Sequence, residues 1–152
     1  MTPADADIAT PLANYAPFRR AGDLVYFAGI IAADPVAGKV VNGFADLPTE
    51  IRAELGETGE MSVDSKDGPV LAQTWFILDN LRKTVAAAGG TLDDVVNLTQ
   101  YFTDLRDFPL YNRVRGTFFP SPPASTCVRV LELLPTNETR IEVQAVAYIP
   151  ER

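Results

Sequence analysis

The run QTWFILDNLRKTVAAAGGTLDDVVNLTQYFTDLRDFPLYN (residues 73–112) decides the fold. Starting from Leu71 just before it, apolar residues return at steps of three and four: Trp75, Leu78, Leu81 and Val85. That spacing predicts an amphipathic helix, and Phe76 and Ile77 widen its apolar face enough to bury it well. Asp67, Gly68 and Pro69 predict its start, a capping acid with proline in the first turn. Gly89 and Gly90 predict its end, because glycine accepts the positive φ that closes a helix. The period then changes to two. Val96, Leu98 and Phe102 alternate with Asn97, Thr99 and Tyr101, so residues 93–102 read as a strand with these sets on opposite faces. Asp107 predicts the cap of a second helix, with Pro109 in its first turn. Tyr111, Val114 and Phe118 form its inner face, and Pro120, Pro122 and Pro123 stop it.

Toward the N-terminus, residues 23–29 (DLVYFAG) read as a short strand ended by Gly29. Asp34, Pro35 and Gly38 make a turn, and Val40 and Val41 start a return strand. Residues 1–16 read as an irregular arm. Residues 42–68 are the least regular part, with a short helix over 48–55, and are expected to be a surface insertion in a single domain. An insertion of that length is more often functional or mobile than not. Toward the C-terminus, residues 125–131 and 140–148 are the last two strands. In the final one Ile141, Val143, Ala145 and Ala147 line one face, and Glu142 and Gln144 the other. The element order predicts an α+β fold, a mixed β-sheet with two helices on one face. Its second face would hold Thr99, Tyr101, Cys127, Arg129, Glu142 and Tyr148, too polar for a core and too aromatic for plain solvent. A symmetric oligomer would cover it.

At 152 residues the chain has the length of one domain, enough to bury roughly 70% of its unfolded surface. Thirteen basic against twenty acidic residues leave a net charge of -7, which argues against nucleic acid as a partner, since phosphate binding needs a basic face. Arg113 and Arg115, with Arg106 nearby, read as a solvated helix face. Cys127 is the single cysteine; no intrachain disulfide can form, which suits a reducing compartment. The first residues lack a basic segment and an apolar run, and no stretch approaches ~18 apolar residues. A cytoplasmic location with no membrane partner is expected. The chain has no histidine, which excludes Ser–His–Asp and Cys–His nucleophile systems. One cysteine cannot build a zinc site, and no spaced acidic loop suggests calcium; no metal is expected.

Three segments carry a resemblance: APFRRAGDLVYFAG (residues 16–29), the run 73–112, and PASTCVRV with RIEVQAVAY (residues 123–130 and 140–148). Together they resemble the Rid (reactive intermediate deaminase, RidA/YjgF-like) family, also called endoribonuclease L-PSP. The likeness covers about two thirds of the chain and fails across 42–68. It implies a chorismate-mutase-like fold and a homotrimer with three small-molecule clefts between subunits. It also implies hydrolysis of reactive enamine or imine acids to keto acids and ammonia, with no cofactor. By the resemblance, Gly29 turns its backbone to the ligand, where the missing Cβ permits close approach. Asn112 matches an asparagine on the second helix, Cys127 a cysteine whose backbone lies at the site, and Glu142 the catalytic glutamate that holds or activates water.

Three positions depart from the family. Ser125 stands where an arginine forks onto the substrate carboxylate, Phe18 at the usual tyrosine, and Ile30 at a common glutamine. A charge-assisted contact of that kind is worth about 1.5–3 kcal/mol, so its loss would weaken binding of a 2-imino acid roughly 10- to 100-fold. Arg129 shares a strand face with Ser125 but lies about 13 Å along it at ~3.3 Å per residue. Arg19 or Arg20, from a neighbouring subunit, are freer substitutes; alternatively Ser125 and Thr126 offer hydroxyls to a neutral ligand. Read without the resemblance, Glu142 is an exposed strand acid and Cys127 a small buried side chain. Asn112 is then an intrahelical bond former, Ser125 a strand-edge hydroxyl and Gly29 a turn glycine. The functions in play are an imine or enamine deaminase and a non-catalytic trimer that binds a metabolite or partner. RNA cleavage is a third, and the acidic balance argues against it.

Overall fold

The structure is a computed structural model that describes residues 11–152. The first ten residues of the expected N-terminal arm lie outside the described residues. The strands are β1 (Phe18–Ala21), β2 (Leu24–Phe27), β3 (Ile30–Ile31), β4 (Ala33–Asp34), β5 (Lys39–Val40), β6 (Val95–Phe102), β7 (Ala124–Arg129) and β8 (Ile141–Tyr148). The helices are α1 (Thr49–Leu55), α2 (Met61–Ala87) and α3 (Phe108–Phe118).

The main sheet runs β1-β2-β8-β6-β7, with β3 also paired to β8; β4 and β5 form a separate two-stranded ribbon. All pairings are antiparallel except β6 with β7. The one parallel step needs a crossover, and α3 supplies it. α2 and α3 cover one face of this mixed sheet. Val25, Phe27, Leu98, Phe102, Ile141, Val143, Ala145 and Ala147 form the sheet's share of the core, and Leu71, Ile77, Leu78, Leu81 and Val85 the share of α2. No helix among the described residues is long and apolar enough to cross a membrane.

Several local expectations are corrected. α2 begins at Met61, six residues before the expected start, and carries Pro69 inside it. Asp64 explains the early start. Its carboxylate accepts the Thr58 N–H at 3.0 Å, the Thr58 hydroxyl at 2.8 Å and the Gly59 N–H at 2.8 Å. These bonds hold the incoming chain against the first turn and keep the Asp64 carboxyl below the usual range. Pro69 removes one helical hydrogen bond, and the carbonyl it leaves free, four residues back, belongs to the exposed Ser65, where water can reach it. Gly68 is there for packing: a Cβ would come within 3.1 Å of the Phe44 ring.

In β6 a register shift between Val95 and Asn97 turns Val96 outward and puts Val95 in the core instead. The Asp107 side chain does not cap α3. It pairs with Arg140 at 2.9 Å, and burial still pushes its carboxyl up. β1 was not expected; it pairs with β2 across the turn at Gly22, whose φ is 62°. Residues 42–68 contain α1 and send Phe44, Leu47 and Leu55 into the core.

Candidate functional site

The inward positions of β6 read Leu98, Gln100, Phe102, so an amide lies in an apolar row. Gln100 is fully buried, and a buried amide must be satisfied. Its Oε1 accepts the Tyr111 hydroxyl at 2.6 Å and Arg115 Nη1 at 2.8 Å. Its Nε2 donates to Ser125 Oγ at 2.9 Å and to the Thr126 carbonyl at 3.0 Å. Two donors on one end and two acceptors on the other fix the orientation of the amide.

Arg115 comes from α3, one turn beyond Asn112 and four residues beyond Tyr111, so all three share a helix face. Besides Gln100, its guanidinium donates to Ser125 Oγ at 2.9 Å and to Asn112 Oδ1 at 2.7 Å. Its Cζ sits 5.8 Å from the Phe108 ring centroid and 5.6 Å from that of Tyr111, within reach of cation–π attraction. Burial pushes the Tyr111 phenol up. Arg115 is therefore not part of a solvated helix face: a strand serine and a helix asparagine meet on it.

Parallel pairing of β7 with β6 puts Ser125 opposite Leu98, Cys127 opposite Gln100 and Arg129 opposite Phe102. All three thus share the helix-covered side. Cys127 and Arg129 do not line the uncovered face as expected, because β7 takes the inward register of β6. Cys127 is a free thiol packed against the core.

The second group lies on the other face. Glu142 alternates with the core residues Ile141 and Val143 and pairs with Tyr101 on one side and Ile31 on the other. Gly29 lies directly against it: a Cβ there would overlap Glu142 Oε1. Here the lack of a side chain has a stated purpose, and the turn-glycine reading is incomplete. Burial pushes the Glu142 carboxyl up, and no donor among the described residues offsets it. Gly29 and Ile30 also line a small groove with Leu12, Tyr15, Asn80 and Thr84.

Phe18 stands apart from both groups, paired with Phe27 across β1 and β2 with ring centroids 5.9 Å apart. Arg20 is bound to the carbonyls of Gly22, Ala88 and Ile149, and Arg129 to that of Thr103. Neither reaches Ser125 within the chain. The sequence reading missed Gln100 and Arg115. Their signals were a polar residue at an inward strand position, and an arginine at i+3 from Asn112.

A family profile described as Endoribonuclease L-PSP matches residues 6–149. A solved structure from Klebsiella pneumoniae, described as a candidate endoribonuclease, is 50% identical with a TM-score of 0.87, covering 90% of this chain and 100% of that one. A RutC family protein from Pyrococcus horikoshii is 32% identical over 139 residues, 91% of this chain and 89% of that protein. The 3-aminoacrylate deaminase RutC of Acinetobacter baylyi is 29% identical over 140 residues, 91% of this chain and 90% of its own length.

Proposed function

This chain belongs to the endoribonuclease L-PSP (Rid) family, and on that premise we propose that it is a deaminase hydrolysing a reactive imine or enamine to a carbonyl product and ammonia. The observation that carries this reading is Glu142, a half-buried carboxylate pressed against the bare backbone of Gly29. Burial raises this carboxyl, and a raised carboxyl binds a proton taken from water more tightly than an ordinary glutamate does.

The chemistry needs few parts. An enamine first takes a proton on carbon and becomes an iminium ion; an imine reaches the same ion by taking a proton on nitrogen. Glu142 accepts a proton from water as the water oxygen bonds to the iminium carbon, and the C=N electron pair moves to nitrogen, giving a neutral tetrahedral adduct. Glu142 returns its proton to that nitrogen, and ammonia leaves with the C–N electron pair as the adduct's hydroxyl becomes C=O and releases its proton to solvent. The imine carbon is already electrophilic, so placement of water and substrate supplies most of the rate. Gly29 and Glu142 form one wall, with Asn112, Ser125 and the Cys127 backbone as the other. Phe18, packed on Phe27 away from both walls, has no hydroxyl to offer.

The two walls lie on opposite faces of one sheet, so one copy cannot close a cleft with both. A homotrimer with clefts between subunits brings the Glu142 wall of one copy to the Ser125 wall of the next. The RutC relative named for 3-aminoacrylate supports a small unsaturated amine as substrate.

The test generates imines with an amino-acid oxidase and traps them with semicarbazide. Faster loss of imine in the presence of the protein is expected; no acceleration across several imines would sink the proposal. Ser125 in place of the family arginine favours a second reading, a non-catalytic trimer that binds a metabolite or partner. A thermal shift with keto acids, amino acids or amides, without turnover of any imine, would select it. RNA cleavage fits poorly with a net charge of -7.

A further inference from the structure

Resting on the cleft reading above, we infer that Arg115 is the anion-binding residue of this site: α3 supplies from the helix the guanidinium that β7 lacks at Ser125. The substrate class that follows is a small acid whose carboxylate reaches Arg115 and Ser125 together.

The first support is the charge environment. Arg82, Arg106 and Arg140 each face a carboxylate, and Arg20, Arg52, Arg113 and Arg129 donate to backbone carbonyls. Arg115 faces none among the described residues; its three partners are neutral oxygens on Gln100, Asn112 and Ser125. A half-buried cation without a counter-ion carries a desolvation cost. An arriving carboxylate removes that cost, and the charge of the pair is then balanced.

The second support is the donor count. A guanidinium has five N–H groups, and the three bonds above leave Nε–H and one Nη2–H without a partner among the described residues. Ser125 Oγ accepts from both Gln100 and Arg115, so its own proton is left to donate outward. Two open guanidinium N–H groups and a serine hydroxyl on the same network suit the oxygens of a carboxylate better than a neutral group.

The third support is preorganisation. Gln100, Asn112 and the Phe108 and Tyr111 rings hold the guanidinium in place, so little side-chain freedom remains to be lost on binding. Ser125 is small enough to admit it. An arginine at that position would compete for the same space, which makes the serine and Arg115 a matched pair.

The experiment is calorimetric titration of the full chain with 2-oxobutyrate and, as an uncharged match for the product, pyruvamide. Arg115→Ala should raise the Kd for 2-oxobutyrate about 10- to 100-fold and leave that for pyruvamide unchanged. Arg115→Lys, which keeps the charge without the planar fork, should fall between, and it guards against a folding defect in the alanine variant. Equal losses for both ligands, an unchanged Kd for 2-oxobutyrate, or failure of the unmodified chain to bind 2-oxo acids would each overturn the inference. Binding of 2-oxobutyrate through Arg115 without imine turnover would leave the inference standing and defeat the deaminase reading. Imine turnover whose carboxylate preference survives in Arg115→Ala would do the reverse.

Discussion

The two faces of the sheet handle polar groups in opposite ways. On the helix-covered side, Gln100, Tyr111, Asn112, Arg115 and Ser125 form a connected hydrogen-bonded set centred on Gln100 and Arg115. On the open side, Glu142 has a glycine against it and burial as the sole cause of its raised carboxyl. The first arrangement is one that holds a charge still; the second is one that makes a proton easy to exchange. On the proposed function, binding and proton transfer ask for these different settings, and the two arrangements lie on opposite faces of the sheet, so each can be broken separately.

The largest effect is expected at the open face. Glu142→Gln keeps the shape and removes the base, and should slow imine hydrolysis about 10²- to 10⁴-fold in the semicarbazide assay. Binding of 2-oxobutyrate should be almost untouched, because the carboxylate is held on the other wall. A parallel loss of both would mean that the two faces do not divide the work.

Next in size is the network on the helix-covered side. Gln100→Leu leaves the Tyr111 hydroxyl and Arg115 without their shared acceptor, and should cost about 1–3 kcal/mol in urea unfolding. The same variant should loosen Arg115 and weaken 2-oxobutyrate binding. Ser125→Arg introduces a second guanidinium beside the first and should lower stability. Arg115→Ala in the same chain should relieve it, with a coupling of about 0.5–3 kcal/mol in a double-mutant cycle by thermal or urea melts. Additive effects would show that the two side chains do not share one space.

The same contrast explains what could be read from the sequence. The core periods of α2, β6 and β8 follow from burial, and burial leaves a repeating pattern: Leu78, Leu81 and Val85 on the helix, Ile141, Val143 and Ala145 on the strand. Gly29, Asn112, Ser125, Cys127 and Glu142 were singled out through the family likeness alone, because each sits in a segment with a recognisable order of residues. What stayed hidden depends on partners distant in sequence. Arg115 looks like any helix arginine until β7 is laid beside β6, 10 residues further along the chain at Ser125. The early start of α2 depends on three bonds to Asp64, and the outward turn of Val96 on a register shift; neither leaves a period to read. Cys127 and Arg129 were assigned to the wrong face because an edge strand's exposure says little about which side its residues share.

The smallest effect concerns pH and separates a base from a merely buried acid. Glu142 has its carboxyl raised by burial in the folded chain, so the folded state holds that proton more tightly than the unfolded one. Its stabilising contribution is therefore fully present below the ordinary glutamate value of about 4.3 and is lost as pH rises through the raised value. Glu142→Gln has no such dependence. The melting temperature of the unmodified chain, relative to that variant, should fall as pH climbs through this window and level off above it. Imine hydrolysis should rise over the same interval, since the ionised form accepts the proton from water. A melting curve that shifts while the rate stays flat would leave Glu142 as a buried acid on a strand and transfer the search for the base to the other face.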